Sequence, residues 1–217
     1  MDVSPLLEGL NAAQREAVTA PAQPLLILAG AGSGKTRVLV HRIAWLTQVM
    51  SARPWNVLAV TFTNKAAREM RQRCELLMPG ATRGMWLGTF HGIAHRLLRL
   101  HWQEASLPET FQILDADDQL RLLKRVINDV GLDQNRYPPR QAMWFINSNK
   151  NEGKRPDAIQ DGHSATDELL RIYRAYEEVC QRAGLVDFAE ILLRTHEMLY
   201  QLIEPLGVAL HAGQVGG

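Results

Sequence analysis

The residues best equipped for chemistry are the run Ala29, Gly30, Ala31, Gly32, Ser33, Gly34, Lys35 and Thr36. Small side chains let a loop curl its backbone N–H groups around phosphate oxygens, and Gly34 brings the backbone close to the anion. Lys35 supplies a point charge for the outer phosphates, and the Thr36 hydroxyl suits Mg²⁺. The run departs from the strict G-x-x-x-x-G-K-[ST] pattern only in its first place, where alanine is also small. A long helical pattern follows and adds its positive N-terminal dipole. Nucleotide binding is the reading, in preference to a structural glycine turn. Upstream, Gln14 carries a planar amide of the kind that pairs with the N6/N7 edge of adenine. Taken alone, a glutamine on an amphipathic helix is better explained as an exposed polar residue.

A second set of candidates comes from charge. The 217 residues hold 24 Lys+Arg against 23 Asp+Glu, so bulk basicity offers no argument for a polyanionic partner. Locally the balance differs. Residues 61–103 carry seven bases and two acids, 104–118 carry five acids and no base, and 121–155 carry eight bases and three acids. Such runs are commonly solvated helix faces; a polyanion track also needs interleaved aromatics. Phe62, Trp86 and Phe90 lie in the first basic stretch, and Trp144 and Phe145 in the second. Phe62 and Phe90 could equally be core aromatics and His91 a capping or core histidine, while Trp144 is expected to pack within a helical domain.

Several classes drop out. Two cysteines, Cys74 and Cys180, cannot form a disulfide-dense scaffold or a Cys-only zinc site, and a reduced cytoplasmic setting is expected. Cys180 reads as a small buried residue, and His41, His95 and His101 form no metal-ligand constellation. The first ten residues lack the basic and apolar regions of a signal peptide. No run approaches the roughly 20 apolar residues of a membrane span.

The elements that must position these groups alternate at first. Asn11 precedes a short helix, AAQREAV, which Pro21 and Pro24 end. Residues 25–28 (LLIL) predict a strand feeding the glycine-rich loop, and a helix follows from Thr36 to about Met50. A second strand is expected over 56–62, a helix over 64–77, a third strand over 85–90 and a helix over 91–102. This β-α-β-α order predicts an α/β fold with a parallel sheet and helical crossovers. After FQILD (111–115) the pattern is nearly all helical, over 115–130, 139–149, 166–182 and 187–199. A helical second domain therefore begins between 90 and 105.

In combination, LNAAQREAV (10–18), AGAGSGKTRVLVHRIAWL (29–46), TFTNKAAREMRQR (61–73) and GTFHGIAHRLLR (88–99) closely resemble the N-terminal ATPase region of the UvrD/Rep family of superfamily 1 DNA helicases. The similarity extends through FQILDADDQLRLLKR, PPRQAMWFIN and AGLVDFAEILLR, covering roughly residues 1–200. The resemblance implies an incomplete P-loop NTPase (RecA-like) parallel sheet with an α-helical insertion domain. Residues 1–89 would form the first part of the ATP-binding domain, and 90–200 the insertion and a return segment. ATP and Mg²⁺ are the implied cofactors, and single-stranded DNA and its junctions with duplex the implied partners, possible repair proteins aside. Gln14 matches the adenine-reading glutamine, Ala29–Thr36 the phosphate loop, and Arg37 an arginine associated with the base. Arg73 falls where it would approach the nucleotide. Thr61, Phe62, Thr63 and Asn64 match one DNA-contacting motif; Thr89, Phe90 and His91 match the next. A strand-end phenyl offers a stacking face, and hydroxyls and amides suit phosphates.

Hydrolysis needs more: carboxylates to hold Mg²⁺ and position water, and an arginine for the transition state. The family supplies the carboxylates from a D-E-x-Q-D strand end. Here the only Asp-Glu pair, Asp167-Glu168, follows polar residues, and Asp187 follows a short apolar pair in a segment the resemblance assigns elsewhere. Residues 201–217 leave the family pattern, as a truncation or altered reading end would. The expected function is the N-terminal portion of an ATP-dependent 3′–5′ helicase of DNA repair, unable to hydrolyse or unwind alone. A non-catalytic nucleotide-binding interaction module and a P-loop kinase are the alternatives; the kinase would not need TFTNKAA.

Overall fold

The computed structural model describes residues 3–159 and 164–204. Packing divides the chain between Ile93 and Ala94 into two units. Unit 1 contains α1 (Ser4–Leu7), α2 (Ala12–Thr19), α3 (Lys35–Gln48), β1 (Leu58–Thr61), α4 (Asn64–Leu77) and β2 (Trp86–Thr89). Helix α5 (Phe90–Leu100) runs across the boundary. Unit 2 continues with β3 (Gln112–Ile113), α6 (Ala116–Asp129), α7 (Pro139–Asn151), α8 (Ser164–Ala183), β4 (Leu185–Val186) and α9 (Phe188–Ile203).

Local cap chemistry sets where several helices begin. Before α2, the Asn11 side chain accepts from Gln14 N at 2.9 Å and Asn11 N donates to Gln14 Oε1 at 3.1 Å, a reciprocal capping box. Thr63 Oγ1 accepts from Ala66 N and opens α4. Asp115 accepts from Asp118 N and opens α6, whose first turn also carries Asp117 and Asp118 against the helix dipole.

In unit 1, β1 and β2 pair in parallel, with Ala59 opposite Leu87 and Thr61 opposite Thr89, and α4 makes the crossover between them. Ala59 and Leu87 face a core completed by Val40, Ile43 and Ala44 of α3 and Met70 and Cys74 of α4. Each large aliphatic buried there contributes roughly 1.5–3 kcal/mol relative to exposure. In unit 2, α6, α7 and α8 enclose Leu123, Ile127, Ile146, Ile172, Tyr173 and Tyr176, and β3 and β4 form a second parallel pair.

The first expected strand is not formed. Leu25–Leu28 make no ladder with any described residue, and all four side chains are between 42% and 86% exposed. An apolar run becomes a strand only where a neighbour satisfies its N–H and C=O groups. Among the described residues of unit 1 only β1 and β2 pair, so this parallel sheet has two strands rather than three. Other elements lie close to expectation, α4 residue for residue. Helix α1 and strand β4 carried too little periodicity to announce themselves. Helix α9 runs on to Ile203, and the rest of the expected tail, 205–217, lies outside the described residues.

Candidate nucleotide and nucleic-acid site

The glycine-rich loop is exposed from Ala29 to Ser33, and α3 begins at Lys35. Gly32 (φ 74°) and Gly34 (φ 85°) sit in the left-handed region, which turns the loop into the helix at little steric cost. Ser33 Oγ donates to Gly30 O at 2.7 Å and tightens the turn. Lys35 Nζ folds back onto its own loop, donating to Ala29 O at 2.9 Å and Gly30 O at 2.6 Å. The ammonium is thus held beside the cradle by two neutral acceptors that an anionic phosphate would outcompete. Thr36, exposed in the first turn of α3, is placed to offer its hydroxyl.

Gln14 lies against this loop. Its Nε2 donates to Ser33 O at 3.0 Å, and a Cβ added to Gly34 would meet that nitrogen at 2.9 Å. Residues 19 apart in sequence are therefore joined, and the capping box of α2 fixes the amide from the other side. Arg37 and Arg73 line one cleft of about 450 Å³ together with Val40, His41, Leu76 and Leu77. Arg37 also lies over Gly9, where a Cβ would meet its Nη2 at 2.6 Å, and Arg73 pairs with Glu69 one turn earlier. His41 follows Arg37 by four residues, and Leu76 and Leu77 follow Arg73 by three and four. That helical spacing was the signal that could have added them to the candidates.

The aromatic candidates meet at the carboxyl ends of β1 and β2. The Thr61–Thr89 register places Phe62 and Phe90 side by side, with ring centroids 5.4 Å apart and planes tilted by 45°. Phe62 is 89% exposed and Phe90 43%, so neither is a core aromatic. The crevice beyond the carboxyl ends of parallel strands is where open α/β sheets bind ligands. The hydroxyls have local duties: Thr63 caps α4, and Thr89 Oγ1 accepts from Gly92 N at 3.1 Å in α5. A hydroxyl used this way can still donate its proton outward. Asn64 is the exposed first residue of α4, and His91 is a half-buried residue in the first turn of α5.

The carboxylate candidates, all in unit 2, are a different matter. Asp167 lies in the first turn of α8, with Glu168 after it, not at a strand end. Asp187 is buried and caps α9. It also accepts from Lys150 Nζ and Tyr176 Oη, each at 2.9 Å, and from Gln119 Nε2 at 3.3 Å. Lys150 Nζ further meets Glu190 at 2.9 Å, and Arg155 grips Glu190 and Glu197 with two bonds each. Burial alone would lower the Lys150 pKa, but Glu190, Asp187 and Glu177 outweigh it and hold it above the ordinary lysine value. Burial pushes Glu190 up, yet Lys150 and Arg155 bring it down to about 2. For Glu177 burial wins and its pKa is raised. Burial likewise pushes the Cys180 thiol up to about 12, which leaves it unreactive. A cavity of about 690 Å³ borders this cluster, and of its charged lining Lys150, Arg155, Glu177, Glu190, Arg194 and Glu197 are already paired to one another. Trp144, expected to pack inside, is 71% exposed; the α7 face that packs inward is filled by Ala142, Met143, Phe145 and Ile146.

Among the described residues no group of three or more His, Cys, Asp or Glu could hold a metal ion, and no helix is long and apolar enough to cross a membrane. A family model for the UvrD/REP helicase N-terminal domain matches residues 10–210. DNA helicase II of Escherichia coli is 62% identical over 199 residues, which is 91% of this chain and 28% of that protein. The Haemophilus influenzae protein of the same name is 53% identical over 91% of this chain and 28% of its own length. ATP-dependent DNA helicase PcrA of Bacillus subtilis is 40% identical over 93% of this chain and 28% of its length. The chain thus spans little more than a quarter of these relatives.

Proposed function

The chain belongs to the UvrD/REP helicase family, and from that premise we propose that it is the ATP- and DNA-binding N-terminal portion of an ATP-dependent 3′–5′ DNA helicase of repair. Residues 1–89 are the first part of a RecA-like ATP-binding domain, and 90–200 its mainly helical insertion and return segment. The observation that carries this reading is the Gln14–Ser33 hydrogen bond, which sets an adenine-selective amide against the phosphate loop. Gln14 presents its amide to the base. The loop N–H groups and Lys35, once released from Ala29 and Gly30, hold the phosphates. Arg37 and Arg73 flank the nucleotide from their shared cleft. Phe62 and Phe90 stack bases of single-stranded DNA, and Thr61, Thr63, Asn64, Thr89 and His91 contact its backbone.

Mg²⁺ would enter with the nucleotide and supply charge neutralisation on the phosphates. The fit is partial: Thr36 offers one hydroxyl ligand, while Asp187 is consumed by Lys150, Tyr176 and the α9 cap. The 217-residue chain accordingly binds nucleotide but does not hydrolyse it. A fluorescent ATP-analogue titration, run with and without single-stranded oligonucleotide, tests the reading. Preference for adenine over guanine is expected, and Gln14→Ala removes it. Lys35→Ala weakens binding by roughly 10–100-fold, the worth of one lost charge-assisted contact. Oligonucleotide binding falls with rising salt. Equal affinity for both bases would remove Gln14 from the site, and DNA-stimulated ATP turnover by this chain would overturn the binding-only assignment.

A further inference from the structure

We infer that the solvent face of α7, centred on Trp144, is a second stacking surface for single-stranded nucleic acid, carried by unit 2; it rests on the DNA-binding reading above. Residues 142–146 are five consecutive apolar residues, and a helix can turn only part of such a run toward one core. Ala142 and Ile146 are buried, and Met143 and Phe145 pack against the same cluster. Trp144 is left at the centre of the opposite face. At helical spacing around it stand Arg140, Gln141, Asn147 and Ser148. An indole serving a protein groove would be ringed by apolar side chains. This one is ringed by a cation, two amides and a hydroxyl, the groups that hold sugar and phosphate beside a stacked base.

Charge points the same way. Helix α7 contains no Asp or Glu. Among the eight bases of 121–155, Lys150 and Arg155 are held by the carboxylates of Glu177, Asp187, Glu190 and Glu197. Arg121 pairs with Asp118 and Lys154 with Glu152. Lys124, Arg125, Arg136 and Arg140 have no acidic partner among the described residues, and Arg136 rests over the Tyr137 ring at 5.5 Å. Lys124, Arg125 and Arg136 are offset in charge by Asp117, Asp129 and Asp133 on α6 and the α6–α7 connection, so the excess positive charge is that of Arg140, on the first turn of α7 beside Trp144. The Asn147 amide is engaged by reciprocal bonds with buried Gln119, at 2.9 and 3.3 Å, which leaves Arg140, Gln141 and Ser148 as the polar groups beside Trp144 for a ligand.

The test is fluorescence anisotropy of a labelled oligothymidylate with the full 217-residue chain and its Trp144→Ala, Trp144→Phe, Arg140→Ala and Phe62→Ala variants. Circular dichroism checks that each variant is folded. Trp144→Ala is expected to weaken binding about tenfold, with Trp144→Phe between it and the parent. Arg140→Ala should reduce the slope of log affinity against log salt by about one. If Phe62→Ala weakens binding while the α7 variants bind as the parent does, the inference fails and the DNA-binding reading stands. If no form of the chain binds, both fail. If Trp144→Ala abolishes self-association at unchanged oligonucleotide affinity, the face belongs to a protein partner and the inference is overturned.

Discussion

Lys35 in unit 1 donates to two carbonyls of its own loop and stays in contact with solvent. Lys150 in unit 2 donates to Asp187 and Glu190 with 2% of its side chain exposed. The first lysine has neutral partners that a phosphate can displace. The second sits among carboxylates that balance its charge and could not be given up without leaving ions buried and unpaired. The same contrast separates the acids. Asp187 is surrounded by donors and belongs to the architecture, and the phosphate loop has no comparable carboxylate of its own. Exposure and weak local bonding mark the groups kept for a ligand, whereas burial and saturation mark those that hold the fold.

The comparison breaks most readily at Lys150. Lys150→Ala is expected to destabilise unit 2 by about 3–5 kcal/mol, the usual cost of removing one partner from a buried ion cluster. A shift in the urea midpoint worth less than about 1 kcal/mol would instead place the cluster with ordinary surface pairs. Acid sharpens the contrast next. The folded-state pKa of Glu190 is lowered from 4.5 to about 2, so its contribution is present above 4.5 and is lost as pH falls through about 2. Glu177, raised by burial, contributes with the opposite sign as it takes up its proton. Denaturation midpoints should therefore fall between pH 4.5 and 2, and Glu190→Gln should flatten that fall. A profile unchanged by Glu190→Gln would remove Glu190 as its source.

The smallest effect concerns the loop. Gly34→Ala introduces an L-residue at φ 85° and drives a Cβ to 2.9 Å from Gln14 Nε2. Left-handed strain alone is worth about 1–2 kcal/mol, so nucleotide affinity should drop by roughly 5–30-fold. Gly32→Ala shares the left-handed backbone of the same loop, at φ 74°, but meets nothing within 4 Å, so it separates strain from collision. Equal effects of the two on nucleotide titration would mean that the Gln14 contact does not matter.

The glycine-rich loop, the helix starts after Asn11 and Asp115, and the longer helices of both units were legible because each depends on residues within one or two turns; the cap at Thr63, read only as a DNA-contact candidate, was not. The TFTN and TFH motifs marked Phe62 and Phe90 as candidates, and the structure decided between core and exposed positions in favour of exposure. Besides the short elements α1 and β4, three features were not legible for tertiary reasons. The run Leu25–Leu28 has strand composition but no partner, because ladder bonds come from elsewhere in the chain. Trp144 lies in an apolar run, and only the rotation of α7 against its neighbours decided that it, and not Phe145, faces water. Asp187 offered a bare carboxylate, and Lys150, Tyr176 and Gln119, which claim it, lie 37, 11 and 68 residues away.

By itself, then, the sequence determined the chemistry on offer: small residues for a phosphate cradle, a lysine and hydroxyl beside it, an amide for a base and phenyl rings at strand ends. These are properties of side-chain type and short spacing. The tertiary structure decided which groups are available and which are spent. It set Gln14 against Ser33, paired Phe62 with Phe90, and locked Asp187 away under Lys150. Availability depends on what approaches from distant segments and on what water can reach, and neither is a local property of the chain.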